Sequence, residues 1–394
     1  MEHMKRGMDL CPAVVVMAHR RPHSIRRLLT SLEHVLTDAP IPMVISIDGG
    51  AAAEVVRIAH QWRHPMWETE VICHSRHLGL TQHTFHCLAM TQTYGAVILL
   101  EDDHYAAPGF YQAAVNLINA LGNHPQVAGI SLYRYPRNEV ANLPFEPIDD
   151  GSDVFYHQRT STRGIALTFA QWQRFKEAQS SLPTDHPDLP EKIRRWPATD
   201  WERQFNLFTA VAGLYFAYPR HSYITNFGDT GTHVPYHEYH AFQVALTPIL
   251  RLPQHILTPD QSRARYDHYS EIEPACLQSW NPTFAAFTPL TIDLYGEKPI
   301  PPDGWMLSLR PAHAPVRQFE LALHPHELNV IDELSGTDIS LAPVTHFSKS
   351  GLSWKRRWLR HQYHYPVPSL AELAHYRAIE WWHRIVNLIN VGFS

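Results

Sequence analysis

Residues 96–103 read Ala-Val-Ile-Leu-Leu-Glu-Asp-Asp, with Tyr94-Gly95 before them and Pro108-Gly109-Phe110 soon after. An unbroken apolar run of this length suits a strand covered on both faces, as in a parallel sheet. In open α/β sheets, ligands bind at the C-terminal ends of the strands. Three carboxylates packed there repel one another unless a cation neutralises them. Hard divalent ions such as Mg²⁺ or Mn²⁺ take oxygen ligands, often one or two carboxylates plus the phosphates of a substrate. Pro108 is expected near the first position of a following helix. Strand, acidic tip and helix together point to a metal–diphosphate site; the competing reading is a solvated acidic loop.

Upstream of this strand the chain alternates. Ala13–Met17 is an apolar, β-branched strand. Ile25, Leu28, Leu29, Leu32, Val35 and Leu36 recur with helical period after Pro22. Met43–Ile47 reads as a second strand ending in the turn signal Asp48-Gly49-Gly50. Glu54–Trp62 reads as helix, Glu70–His74 as strand and Leu80–Thr93 as helix. This β-α-β-α-β-α-β order predicts a parallel sheet with right-handed crossovers. No G-x-G-x-x-G follows Met17 and no Walker lysine motif is present, so a bound nucleotide must be held by other groups.

Several short motifs, taken in order, carry a resemblance. They are Ala18-His19-Arg20, Ser46-Ile47-Asp48-Gly49, Val97–Asp103 with Ala107-Pro108-Gly109-Phe110, Thr199-Asp200-Trp201-Glu202-Arg203, Pro219–Gly228 and Gly231-Thr232-His233. Over about residues 12–240 this pattern resembles the GT-A glycosyltransferases, nearest the N-acetylglucosaminyltransferase I type and its O-mannose-linked relatives. His19 stands where that family has an acidic residue, Thr232 replaces a serine, and a proline-rich insert precedes Asp200. Ser161–Leu167 with Gln171-Trp172-Gln173 aligns with a family segment lining the sugar and acceptor, of which Gly164 and the apolar run remain.

The resemblance implies an α/β, Rossmann-like GT-A fold with a mostly parallel sheet flanked by helices. It implies inverting, metal-dependent transfer from a UDP-sugar, UDP-N-acetylglucosamine by analogy, to a hydroxyl of a glycan or lipid-linked acceptor, with Mn²⁺ or Mg²⁺ as cofactor. A metal clamp neutralises the leaving diphosphate as a Lewis acid. Asp103 is then the metal ligand, and Glu101 and Asp102 orient donor hydroxyls or metal-bound water. By resemblance Asp48 contacts the uridine and Arg20 the base or diphosphate; the plain alternatives are a turn-shaping Asp48 and a surface Arg20. An upstream histidine meets the nucleotide, for which His83 and His77 compete. Ser222 and Gly228 fall in the donor-binding segment, and Asn226–His233 has the composition of a closing loop. His233 there reaches the metal or diphosphate, or is an ordinary loop histidine.

Inversion needs a general base for the acceptor hydroxyl, a task a positioned carboxylate performs. Asp200 matches the family position, with Trp201 as a wall of the sugar pocket. Asp200 is also a suitable N-cap for a helix over Trp201–Phe208. Glu202 is the reserve base.

Composition bounds the rest. A chain of 394 residues is ample for two domains, and 44% apolar content argues against disorder. A net charge of −5 gives no reason to expect nucleic-acid binding. Cys11, Cys73, Cys87 and Cys276 have no CxxC pairing, which argues against a zinc knuckle or disulfide framework. The 28 histidines lack recurring metal-ligand spacing and read as surface or structural; the i, i+4 pair His19, His23 is weighed as a metal-binding alternative. No stretch has the length of a membrane span and no signal-peptide core opens the sequence, so a cytoplasmic location is expected. Residues 10–250 are read as the catalytic domain and 251–394 as an accessory region contacting acceptor or membrane. Trp354-Lys355-Arg356-Arg357-Trp358-Leu359-Arg360, with Trp381 and Trp382 in a helical pattern over Ala378–Val391, suits either a peripheral membrane contact at the inner face or a docked terminal helix. A sugar nucleotidyltransferase is a second functional class, but lacks its Gly-rich phosphate loop here. A non-catalytic carbohydrate-binding protein is a third, with no need of Glu101, Asp102, Asp103 and Asp200 together.

Overall fold

The computed structural model describes residues 11–229, 242–349 and 351–365, with residues 374, 378, 381 and 382. The chain divides into two compact units, residues 1–140 with 145–286, and 141–144 with 287–394. In chain order the elements are β1 (Ala13–Ala18), α1 (Pro22–Leu32), β2 (Ile41–Ile47), α2 (Ala53–Gln61), β3 (Trp67–Cys73), α3 (Leu80–Ala89), α4 (Thr91–Tyr94), β4 (Ala96–Glu101), β5 (His104–Ala106), α5 (Phe110–Leu121) and β6 (Val127–Ser131). Short strands β7 (Arg137–Asn138) and β8 (Leu143–Pro144) precede β9 (Val154–His157), β10 (Ile165–Thr168), α6 (Phe169–Gln179), α7 (Glu191–Arg194), α8 (Trp201–Ala212), β11 (Tyr215–Pro219), β12 (Ile224–Asn226), β13 (Arg265–Tyr266) and α9 (Pro274–Trp280).

The first unit is the expected α/β fold, a mostly parallel sheet flanked by helices. Its nine strands run in the order β13-β9-β11-β6-β10-β4-β1-β2-β3. β3, β2, β1 and β4 are all parallel, and the antiparallel β10 breaks the pattern between β4 and β6. The apolar runs read from the sequence form the middle of this sheet: Val14, Val16, Ile45, Ile98 and Leu100 are fully buried. Strands covered by helices on both faces need no polar alternation. The sheet continues past residue 250, because β13 pairs in parallel with β9. Residues 251–286 therefore pack with the first unit.

Local differences from the sequence reading have simple causes. The helix expected over Leu80–Thr93 is two, α3 and α4, ending at Gly95 with φ 74°. Pro108 lies outside α5, whose N-cap is Gly109. Within the proline-rich insert one short helix, α7, starts after Pro190. Trp201 is not a pocket wall: it is 2% exposed and packs edge-on against Phe205 in the core.

The second unit holds a four-stranded sheet in the order β14-β15-β17-β16, namely β14 (Leu290–Asp293), β15 (Trp305–Ser308), β16 (Arg317–Phe319) and β17 (Ile339–Pro343). Helix α10 (Leu328–Ile331) lies between β16 and β17, and α11 (Trp354–His364) follows. No residue of α11 is buried, yet two of its basic residues are in ion pairs: Arg356 with Asp338 and Arg360 with Glu297. Trp354 is 79% exposed and stacks on Trp358. Trp381 and Trp382 are exposed too, while most of the expected helix Ala378–Val391 lies outside the described residues. No helix among the described residues is long and apolar enough to cross a membrane.

Candidate active site

Two clusters of the first unit carry the candidate residues. The first lies at the C-terminal end of β4. Register places Met17 of β1 beside Glu101, so the chain leaving β1 passes the acidic tip. Arg21, the N-cap residue of α1, therefore reaches it: one guanidinium nitrogen pairs with Asp102 and the other donates to Oδ2 of Asp103 at 3.0 Å. Arg20, the residue favoured from sequence, is exposed and turned to the carbonyl of Gly50. The arginine at the tip is its neighbour, which no local pattern distinguishes.

Burial, with Asp103 beside it, pushes the Glu101 carboxyl up to about 8. Burial raises Asp102 to about 6 although Arg21 opposes the shift. Burial and the neighbouring carboxylates thus favour the neutral form of Glu101 more than that of Asp102, which Arg21 opposes. Asp103 is 6% exposed, and its Oδ1 is buried without a hydrogen-bond partner among the described residues. A buried carboxylate oxygen left without a donor is costly. That atom is where an added cation would gain most, and an all-oxygen cluster suits Mg²⁺ or Mn²⁺.

The downstream motif converges on the same tip. β12 pairs antiparallel with β5, setting Asn226 opposite His104, and the N–H of Phe227 donates to the carbonyl of Asp103 at 3.0 Å. Ser222 is buried and spends its hydroxyl on the backbone, accepting from Arg134 and donating to Ile224. Gly228 adopts φ 60° and donates to Asn226. Both shape the segment. Asp229, not singled out from sequence, accepts from Ser24 at 2.6 Å and pairs with Arg27, while its carbonyl receives Arg21. Gly164 allows the close approach of β12, since a Cβ there would lie 2.9 Å from Ile224. His233 lies outside the described residues.

The Asp48 turn adjoins this cluster through β1 and β2. Asp48 is 4% exposed and its two oxygens accept backbone N–H groups of Gly49, Leu78 and Gly79, with His77 Nδ1 at 2.8 Å. Burial alone would raise this carboxyl; the three N–H bonds overcome it and hold it below the usual range. Asp48 thus fastens residues 76–79 onto its own turn. Gly49 is required there, because a Cβ would fall 2.1 Å from the carbonyl carbon of Arg76. Of the two competing histidines, His83 is buried, bonded to Ser46 Oγ at 2.8 Å and lowered by burial to about 4, whereas His77 is exposed. His77 also borders a cleft of about 530 Å³ shared with Arg76, Phe85, Trp172 and Lys176.

The second cluster is at the start of α8. Asp200 is the N-cap, and its Oδ1 accepts the N–H of Arg203 at 2.8 Å. Glu202, in the first turn of α8, is half-buried, and its carboxylate has no hydrogen-bond partner among the described residues. Burial pushes it up to about 7 despite the nearby Arg159 guanidinium. Arg159 itself is 2% exposed and pairs with Glu139 at 2.7 Å, which holds Glu139 near 2 against its burial. Arg163, lying 3.9 Å over the Phe242 ring, acts electrostatically on both Glu202 and Glu101. It is the charge common to the two clusters. Glu139 follows β7, while Arg159 and Arg163 share the loop between β9 and β10, so no sequence window around Glu202 contains them.

No family model and no curated protein matches the chain. Among solved structures it is similar to S. aureus TarS, with a TM-score of 0.34, 11% identity, and coverage of 54% of this chain and 36% of that one. The TarS 1–349 structure in complex with UDP-GlcNAc gives a TM-score of 0.36, 12% identity and coverage of 57% and 60%. The same segment in complex with UDP gives 0.35, 12%, 54% and 59%. The chain thus spans less than two thirds of these proteins. Similarity at this level assigns no residue and no activity.

Proposed function

We propose that the protein is a nucleotide-sugar glycosyltransferase that moves a sugar from a UDP-sugar, UDP-N-acetylglucosamine first, to a hydroxyl of a glycan or lipid-linked acceptor with inversion. The observation that carries this reading is the buried, unpartnered Oδ1 of Asp103 at the C-terminal end of a central parallel strand. Asp103 and Asp102 would hold Mn²⁺ or Mg²⁺, which when bound supplies positive charge to a departing diphosphate. Arg21 holds both carboxylates ready, and Arg163 adds a second fixed positive charge. Glu101, which ends β4 beside them, would orient a donor hydroxyl or metal-bound water.

Glu202 takes the proton from the acceptor hydroxyl. A base works best with a pKa near the operating pH, and its carboxylate is not spent on internal bonds. Asp200 sets the start of α8 and so the position of Glu202. Asp48 and the loop it fastens border the nucleotide, and exposed His77 is the histidine free to meet it. A peripheral membrane contact would rest on exposed Trp354, Trp381 and Trp382 with Lys355 and Arg357, because Arg356 and Arg360 are already paired.

The test is a screen of UDP-sugars for Mn²⁺-dependent donor hydrolysis, joined to UDP titrations of Asp103→Ala. The substitution is expected to weaken UDP binding in Mn²⁺ with the fold unchanged by circular dichroism. Equal affinity in both proteins removes Asp103 from the role.

A further inference from the structure

His19, Asp48 and His77 lie together for reasons set by the sheet. The parallel register pairs Ala18 with Ile47, so the residues that follow, His19 and Asp48, emerge side by side from β1 and β2. The backbone bonds from Leu78 and Gly79 to the Asp48 carboxylate then bring His77 over them. One ligand atom from each of the three lies within 4.8 Å of the others, and among the described residues no other histidine, cysteine or acidic group of three does so. The two imidazoles lie nearly parallel with centroids 5.0 Å apart, and Nδ1 of His77 is 2.8 Å from Oδ2 of Asp48.

We propose that these three residues form a binding site for a borderline divalent cation, Zn²⁺ in the first instance, which locks residues 76–79 to the ends of β1 and β2. Two imidazoles and one carboxylate are a donor set for Zn²⁺ and its first-row neighbours, whereas the all-oxygen tip at Asp102 and Asp103 suits Mg²⁺ or Mn²⁺. Bonds of about 2.0–2.1 Å place tetrahedral neighbours roughly 3.4 Å apart. The His77–Asp48 edge, at 2.8 Å, is already near that span, and the His77 ring is exposed. The surroundings supply the supporting shell that metal ligands require. Asp48 keeps its Gly49 and Leu78 bonds on the other oxygen, and a ring nitrogen of His19 lies 3.2 Å from the Gly49 carbonyl. Three protein ligands leave one position for water or a ligand atom. This proposal shares Asp48 and His77 with the nucleotide side of the donor reading, but its metal and its ligands differ from those at Asp103, so titration with Zn²⁺ alone tests it apart from that reading.

The experiment uses the full chain stripped with chelator and titrated with Zn²⁺ alone by calorimetry, and with Co²⁺ as a visible-absorbance probe. One Zn²⁺ per chain is expected, with tetrahedral Co²⁺ bands that survive excess Mg²⁺. His77→Ala should weaken this site by more than about 100-fold, beyond the 10–100-fold typical of losing an outer-shell partner. His19→Gln should weaken it likewise, and Asp103→Ala should leave it unchanged. His77 is exposed, so its variant keeps the fold and circular dichroism verifies this. Zn²⁺ binding equally tight in the His77 and His19 variants, loss of the site in Asp103→Ala, or displacement of Co²⁺ by Mg²⁺ would each overturn the proposal.

Discussion

The two acidic clusters of the first unit are built in opposite ways. At the end of β4, Asp102 and Asp103 are tied to Arg21, and one oxygen of Asp103 is left over. At the start of α8, Asp200 is spent on a helix cap and the Glu202 carboxylate is left without a hydrogen-bond partner among the described residues. Fixed charge at the first cluster suits a group that must stay ionised and hold a cation. An untied carboxyl near neutrality at the second suits a group that must exchange a proton. The difference teaches that burial alone does not define a role; what burial leaves unpaired does.

The largest effect should come from breaking the second cluster. Glu202→Gln keeps the volume but removes the proton acceptor. Transfer is expected to fall by about 10²-fold or more, the usual scale for losing a general base, with donor binding retained. In the wild type, a base pushed up to about 7 must lose its proton to act, so turnover should rise as pH passes upward through about 7. Near-normal turnover in Glu202→Gln, with a loss in Asp200→Asn instead, would reverse the assignments of the two acids.

The first cluster should respond to cations instead. Arg21→Gln leaves Asp102 and Asp103 without their counter-charge. Stripping one partner from a fully buried pair costs about 3–5 kcal/mol; Arg21 keeps 24% side-chain exposure, so roughly 2 kcal/mol is a fairer figure. Thermal melts in chelator should show the loss, and Mn²⁺ should recover most of it by supplying the missing charge. A melt that ignores Mn²⁺ would mean the tip is an ion pair and not a cation site.

Much of the frame behind this contrast was legible in the sequence. β1, β2, β3 and β4 could be read because strands buried on both faces are written as apolar runs, and the helices between them by their period. The acidic tip was legible as chemistry because it directly ends such a run. What could not be read is tertiary. Arg21 and Arg20 are equivalent in sequence, and only the turn into α1 decides which one meets Asp103. Glu139, from the turn after β7, and Arg159 and Arg163, from the loop between β9 and β10, act on Glu202 electrostatically from segments distant in sequence. The strands of the second unit are three to five residues long and lie between prolines, so no window held enough of a period to show them.

The smallest effect separates the two acids of α8 by stability rather than rate. Asp200 accepts one N–H at the helix start, and replacing such a cap by alanine costs about 1 kcal/mol. Asn caps about as well as Asp. Asp200→Ala should therefore lose that much unfolding free energy in a denaturant titration, while Asp200→Asn stays near the wild type. If Asp200 serves only as a cap, turnover should follow the same order: nearly intact in the Asn variant, and moderately reduced in the Ala variant as the first turn of α8 frays and Glu202 shifts. Should Asn preserve stability but abolish transfer, Asp200 handles the proton itself. Its hydrogen bond to the Arg203 N–H would then orient a base rather than merely begin a helix.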